Sequence, residues 1–296
     1  MLIVSCRKDT TSIDYRQEMR NFVQKISTYS KSQKRDFIII PQNGHELLTT
    51  SGKPDAGFAT AYIQAIDGIG REDLFYGYDN DDEATKATDR DEMLPFMDIA
   101  KNNGIKVLVT DYCSTQSKMQ DSYNQNSSRG YLSFAADHRE LDNVPAFPAA
   151  PVNENTNNIM TLQDAKNFLY IINTQQYESK AGFLNAVSAT NYDVVVMDLN
   201  FNDEFFTATE INGLKHKANG SLRKIICYMS IGEAQHAAFG EASEFAPITV
   251  DRAELDATLA AVPENALGRD WSPKIWQARK DGAALGWIIV DQVIGK

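Results

Sequence analysis

Apolar residues recur along this chain in two alternating rhythms. Tyr15, Met19, Phe22, Val23, Ile26 and Tyr29 fall at three- and four-residue steps with charged residues between them, which predicts an amphipathic helix from Tyr15. An unbroken apolar run at 37–40 then reads as a fully buried strand, expected to end at Pro41 and Gly44. Met93, Phe96, Met97 and Ala100 predict a helix over 91–103, stopped by Asn103 and Gly104, and 105–110 is a second buried strand. Past a Pro- and Asn-rich connection at 144–158 the alternation resumes. Strands are expected at 168–172, 193–199 and 224–231, with helices at 179–189 and 209–217. Near-continuous apolar strands separated by helices imply a parallel sheet covered by helices. An open doubly wound sheet and a closed barrel both satisfy this pattern. No Gly-x-Gly-x-x-Gly follows any strand, so a dinucleotide fold loses its main support.

Composition narrows the partners more than the fold. With 296 residues, 43% of them apolar, the chain can bury a large core as one barrel or as two smaller domains. A formal net charge of −11 argues against nucleic acid and anionic membrane as partners and suits a neutral or cationic ligand. Of the three cysteines, Cys113 and Cys227 close apolar runs and are expected as buried free thiols. Cys6 stands in a different setting. Met-Leu-Ile-Val-Ser-Cys at 1–6 is an apolar run, a small residue and a cysteine, followed by Arg7, Lys8 and a Ser/Thr stretch. This resembles the end of a bacterial lipoprotein signal, although only four residues separate Met1 from Cys6. It predicts lipidation of Cys6, a signal remnant and tether over 1–14, and export to the outer membrane or cell surface. The alternative is an N-terminus with an incidental cysteine.

Chemistry in parallel α/β folds gathers at the carboxyl ends of the strands. Here those ends carry Pro-Gln-Asn-Gly-His-Glu at 41–46, Thr-Asp-Tyr at 110–112, Asp198, and Ser-Ile-Gly-Glu at 230–233. The segment 65–76 adds Asp67, Glu72 and Asp73. One such aspartate can simply cap the next helix. Carboxylates at several strand ends are instead expected to converge, as glycoside hydrolysis requires, one protonated as acid and one ionised as base or nucleophile. They would also attract a cationic sugar. No His-Glu-x-x-His and no Gly-x-Ser-x-Gly elbow occurs, and no metal or cofactor is expected. The stretch Lys-Met-Gln-Asp-Ser at 118–122 superficially matches a synthetase lysine loop, but no nucleotide-binding histidine motif accompanies it.

Five phrases together resemble the endo-α-1,4-polygalactosaminidase-like family of TIM-barrel glycosidases, some of whose members carry a cysteinyl-tRNA-synthetase-related label. They are Ile-Ile-Pro-Gln-Asn-Gly-His-Glu-Leu at 39–47, Ile-Asp-Gly-Ile-Gly-Arg-Glu-Asp-Leu-Phe-Tyr-Gly at 66–77 and Val-Leu-Val-Thr-Asp-Tyr at 107–112. The others are Tyr-Asp-Val-Val-Val-Met-Asp at 192–198 and Tyr-Met-Ser-Ile-Gly-Glu-Ala at 228–234. The resemblance implies a (β/α)8 barrel over 15–296 whose order is circularly permuted. The family's later half occupies 15–143, its earlier half 165–296, and the Pro/Asn-rich stretch is the seam. The family strand Gly-Phe-Asp-Gly-x-x-x-Asp, with its catalytic aspartate, is expected after Lys296 and so to be missing, which puts turnover in question. The resemblance further implies Glu46 as the retained catalytic residue, with Glu233 and Asp198 beside it. Crowding by these carboxylates would keep Glu46 protonated. Gln42, Asn43, Asp67, Asp111, Tyr112 and Tyr228 become substrate-binding candidates. For Tyr76, Tyr78, Tyr112 and Tyr228, stacking on sugar and plain packing stay equally open. The implied partner is a polysaccharide, neutral or cationic; a surface carbohydrate-binding lipoprotein without turnover is the alternative.

Overall fold

The structure, a computed structural model, describes residues 14–202, 204–229 and 287–291. Cys6 and Glu233 lie outside the described residues. Asp14 caps the first helix, its carboxylate accepting from the Gln17 amide at 3.0 Å. That helix, α1 (Tyr15–Gln33), buries Phe22 and Val23. The first strand, β1 (Ile39–Gln42), runs through Pro41, so the expected stop there is wrong. Proline's fixed φ suits extended backbone and its ring removes only one ladder donor. There follow α2 (Thr60–Ala65), β2 (Gly68–Glu72), α3 (Ala87–Asn102), β3 (Lys106–Tyr112), α4 (Gln116–Arg129) and β4 (Leu132–Ala136). The second half supplies β5 (Phe168–Ile171), α5 (Lys180–Ser188) and β6 (Val194–Met197). A small antiparallel pair, β7 (Asn200–Phe201) and β8 (Glu204–Phe205), precedes α6 (Ala208–Leu214), β9 (Lys224–Met229) and β10 (Trp287–Asp291).

Eight strands form one sheet in the order β4-β3-β2-β1-β10-β9-β6-β5. The block β1 to β4 is parallel, as is the block β5, β6 and β9. The chain is therefore a mixed α/β protein with parallel sheet segments. Its edge strands, β4 and β5, share no ladder among the described residues, so the sheet is not closed by hydrogen bonds. Between β9 and β1, where the resemblance leaves a missing strand, stands β10. It is antiparallel to both neighbours, and its Asp291 pairs with Ile226, at the end of the sheet opposite Met229.

Side-chain alternation sorts the core. Ile40, Leu108, Phe134, Phe168, Tyr170 and Ile226 share one buried cluster with residues from both halves of the sequence. Ile39, Ile69, Val107, Val109 and Ala135 pack on the other face, against Phe22, Phe96, Met97 and Met119 of the helices. Each such fully buried side chain contributes about 1.5–3 kcal/mol of transfer free energy. The rings of Phe134 on β4 and Phe168 on β5 stand 5.9 Å apart, so the two edges meet through side chains. Cys113 and Cys227 are free and buried, as expected. Burial pushes the Cys227 thiol up to about 12. No helix among the described residues is long and apolar enough to cross a membrane.

The Pro/Asn-rich connection at 144–158 is tied down by a buried ion pair. Asp193, just before β6, accepts from Lys217 Nζ at 2.6 Å, and neither side chain has any exposed surface. The same carboxylate accepts from the Lys166 amide at 2.7 Å and from Asn155 Nδ2 at 3.0 Å. Asn155 belongs to the Pro/Asn-rich connection, which is thereby fixed to the amino end of β6.

Candidate functional site

The exit of β1 sets one wall. Asn43 and Gly44 both adopt left-handed backbone, φ 59° and 63°, which turns the chain sharply into a 3-10 turn, His45–Leu48. The Gln42 side chain points back over β2, where it fills the space that Gly70 leaves. A Cβ on Gly70 would stand 1.7 Å from Gln42 Oε1. The Gln42 amide is buried and its Nε2 has no hydrogen-bond partner among the described residues. Burial lowers His45 to about 4, so its ring is neutral and packs against Phe96 at 4.9 Å. Its 3.7 Å approach to Glu46 is therefore not an ion pair at neutral pH. The Glu46 side chain is 40% exposed, and the cation that acts on this corner is Arg71.

The exit of β2 supplies the centre. Glu72 accepts from the Tyr112 hydroxyl at 2.5 Å on one oxygen and from Asn43 Nδ2 at 3.0 Å on the other. Burial, and then Glu72 itself, pushes the Tyr112 phenol far above its ordinary range, so Tyr112 stays a donor. Tyr170 of β5 and Tyr228 of β9 pack together behind it, ring centroids 6.2 Å apart. Tyr170 is likewise pushed well up, first by burial and then by Glu72 and Tyr228. Arg71 donates to Asn43 Oδ1 at 3.2 Å, while its Nε is buried with no hydrogen-bond partner among the described residues. Asp73 binds Arg139, from the loop after β4, at 2.7 Å, and Arg139 also reaches Asp81 at 2.5 Å. Burial raises Asp73, against the opposing pull of Arg139. The result is a polar cluster across the carboxyl ends of β1, β2 and β3, with Glu46, Glu72, Asp73 and Asp81 outnumbering Arg71 and Arg139. Glu72, Arg71 and Arg139 are the members that the sequence argument undervalues.

Several candidates lie elsewhere. Asp111 is a correction: its carboxylate faces the helices, accepting from the Phe75 and Tyr76 amides, the Ser122 hydroxyl and Asn126 Nδ2 at 2.6–3.2 Å. The strand's alternation decides this, since its neighbour Tyr112 takes the other face. Asp67 is another correction. It precedes β2 and so lies at the amino end, where it accepts from the Ile39 amide at 2.8 Å and pairs with Lys31 at 3.0 Å. Tyr76 packs, its hydroxyl donating to Asp121 at 2.7 Å, whereas Tyr78 stays 46% exposed. Asp198 does follow β6, on the alternation face of Val196 and its pair Tyr170. Burial, not a neighbouring carboxylate, raises it, and the Leu199 amide opposes the rise. Arg71 lies close enough to Glu46 to feel its charge, and the expected crowding by Glu233 falls outside the described residues.

Gly77 is a second tight point of the site. Its φ is 109°, and a Cβ there would stand 2.5 Å from Asp73 Oδ1 and 3.1 Å from Arg139 Nη2. Gly77→Ala is expected to cost about 1–3 kcal/mol, the scale of a residue forced into a sparsely populated backbone region. A shift of the urea midpoint at constant m value would measure it.

No family model matches the chain. It is similar in part to an uncharacterized protein of Methanocaldococcus jannaschii, 32% identical over 139 residues that cover 43% of this chain and 37% of that protein. An uncharacterized protein of Deinococcus radiodurans is 26% identical over 129 residues, 44% of this chain and 38% of its own length. The matches thus span less than two fifths of either relative, and neither name assigns an activity.

Proposed function

We propose that the chain is a glycoside hydrolase of the endo-α-1,4-polygalactosaminidase-like type, built on a permuted (β/α)8 barrel and acting on an amino-sugar polysaccharide. The observation that carries this reading is the set of carboxylates at neighbouring strand ends, Glu46 after β1 and Glu72 and Asp73 at β2, backed by Tyr112. Their excess over guanidinium groups favours a cationic sugar. Glu46 is accessible and serves as the general acid; Glu72, gripped by Tyr112 and Asn43, serves as the second carboxylate. The barrel is supported by the approach of the edge strands through Phe134 and Phe168. Incubation with de-N-acetylated galactosamine polymer should release reducing ends, while a neutral galactan should not be cut. Binding of the polymer with no new reducing ends would replace hydrolysis by the second reading, a carbohydrate-binding protein. The direction of β10 favours that second reading, because it sets Asp291 beside Ile226, away from the carboxyl ends of the parallel strands.

The same proposal includes export as a lipoprotein through Cys6. Mass spectrometry of the native protein should find lipid on Cys6 with nothing before it. An intact Met1 and an unmodified thiol would refute export by this route.

A further inference from the structure

We propose that Arg139 is a positioning residue of the site: seated by a His138 bridge, its guanidinium holds the Tyr112 hydroxyl on Glu72. The use of Glu72 in turnover rests on the glycosidase reading above; the seating of Tyr112 does not. The Arg139 guanidinium carbon lies 4.1 Å over the Tyr112 ring. In that position it grips both oxygens of Asp73, at 2.7 and 3.3 Å, and reaches Asp81 at 2.5 Å and the Gly77 carbonyl. A planar fork so paired cannot swing off the ring without losing its carboxylates. The ring is buried from the other sides, and its hydroxyl ends 2.5 Å from Glu72. Arg139 therefore joins the loops after β2 and β4 across the last residue of β3.

Arg139 is itself 42% exposed on a loop, so something must aim it. The preceding residue does. His138 Nε2 meets Asp142 Oδ1 at 2.5 Å, and its Nδ1 meets Asp137 Oδ1 at 2.8 Å. The second contact is an ion pair and not a directed hydrogen bond, since Asp137 Oδ1 has no hydrogen-bond donor. One ring thus ties the two ends of the loop 137–142 together. The other groups facing this bridge are Glu140 on the same loop, Tyr177 beside Asp142, and the Asn143 amide, which donates to Asp137 at 3.2 Å. Only the protonated imidazolium carries the charge that makes the Asp137 contact an ion pair. Asp142, and then Asp137, raise His138 against the opposing effect of burial. The stabilisation from the bridge is therefore full below the ordinary histidine value of about 6.5 and is lost as pH rises through the higher folded value.

The test uses protein labelled with 3-fluorotyrosine and read by fluorine NMR, with the Tyr112 line assigned by its absence in Tyr112→Phe. Arg139→Gln should move that line, and Arg139→Lys, which keeps the charge without the fork, should move it less. In the parent protein the line should titrate between about pH 5 and 8, the histidine range, with its midpoint above the ordinary histidine value, and His138→Gln should abolish the titration. A Tyr112 line that stays put in Arg139→Gln overturns the proposal. If that variant does not fold, the parent titration decides, and a line flat with pH overturns it equally. On the polymer, Arg139→Gln should lower kcat by about 10- to 100-fold with KM little changed, as misplacement of a reacting group does. A moved line with unchanged kcat would also overturn the positioning role. A parent protein that never cuts polymer removes the glycosidase reading and leaves the NMR result standing.

Discussion

Lys217→Met is expected to lower stability by about 3–5 kcal/mol, the cost of breaking a buried ion pair by removing one partner. The cause is desolvation. Lys217 and Asp193 have no exposed side-chain surface, and they meet at 2.6 Å. Methionine fills most of the lysine volume but offers no donor, so the Asp193 carboxylate is left in the interior with the Lys166 amide and Asn155. Asn155 loses a partner too, since Lys217 also donates to its carbonyl and side-chain oxygens at 3.2 and 3.3 Å. The seam should then loosen at the amino end of β6. Urea denaturation at constant m value measures the loss. Adding Asp193→Asn should recover part of it, because the two groups are coupled. A loss below about 1 kcal/mol would put this pair with ordinary surface bridges and refute its role.

On the proposed glycosidase reading, turnover should fall by at least ~10²-fold in Glu46→Gln, the low end of what general acid catalysis contributes. Glutamine keeps the shape of the side chain and removes its transferable proton. Glu46 sits on a 3-10 turn whose Leu47 and Leu48 are buried, so the backbone that carries it is anchored while its side chain faces solvent. Folding should be nearly unaffected, because exposed carboxylates away from such features contribute little. Reducing-end release from the de-N-acetylated polymer, with binding of the same polymer as control, gives the comparison. Cleavage close to the parent rate would remove Glu46 from the acid's role, and Glu72 would be the next residue to substitute.

Elements with a strong apolar period are legible in the sequence: α1, α5, β5, β6 and β9 fall within a few residues of their expected places. The elements that escape notice lack that signal. Gly-Ile-Gly-Arg-Glu in β2 has one apolar side chain, and its glycines are small because Gln42 fills the space above Gly70. The helix α4 is mostly polar, with Met119 and Tyr123 its only large apolar side chains, and it also buries Ser122 and Asn126, whose donors serve Asp111. Asp111 itself shows why a site is harder to read than a fold. Thr-Asp-Tyr at a strand end does not say which residue faces which layer. The register pairs Asp111 with Ala135 on the helix face and Tyr112 with Ala136 on the other. A shift of one residue would exchange their roles. Arg139 lies far from Asp73 in sequence and joins it only when the loops after β2 and β4 come together.

The reversed direction of β10 has a consequence for how this protein can vary. β9 ends at Met229 and β10 begins at Trp287, and the ladder pairs Ile288 with Met229, so the chain leaves one strand and enters the next at the same edge of the sheet. A parallel crossover needs a dozen or more residues to return to the far edge, whereas an antiparallel connection has no such minimum. Met229 and Trp287 therefore both lie at the sheet edge that carries Gln42 and Glu72. A change in the length of the connection between these two residues can therefore leave the order of the strands as it is.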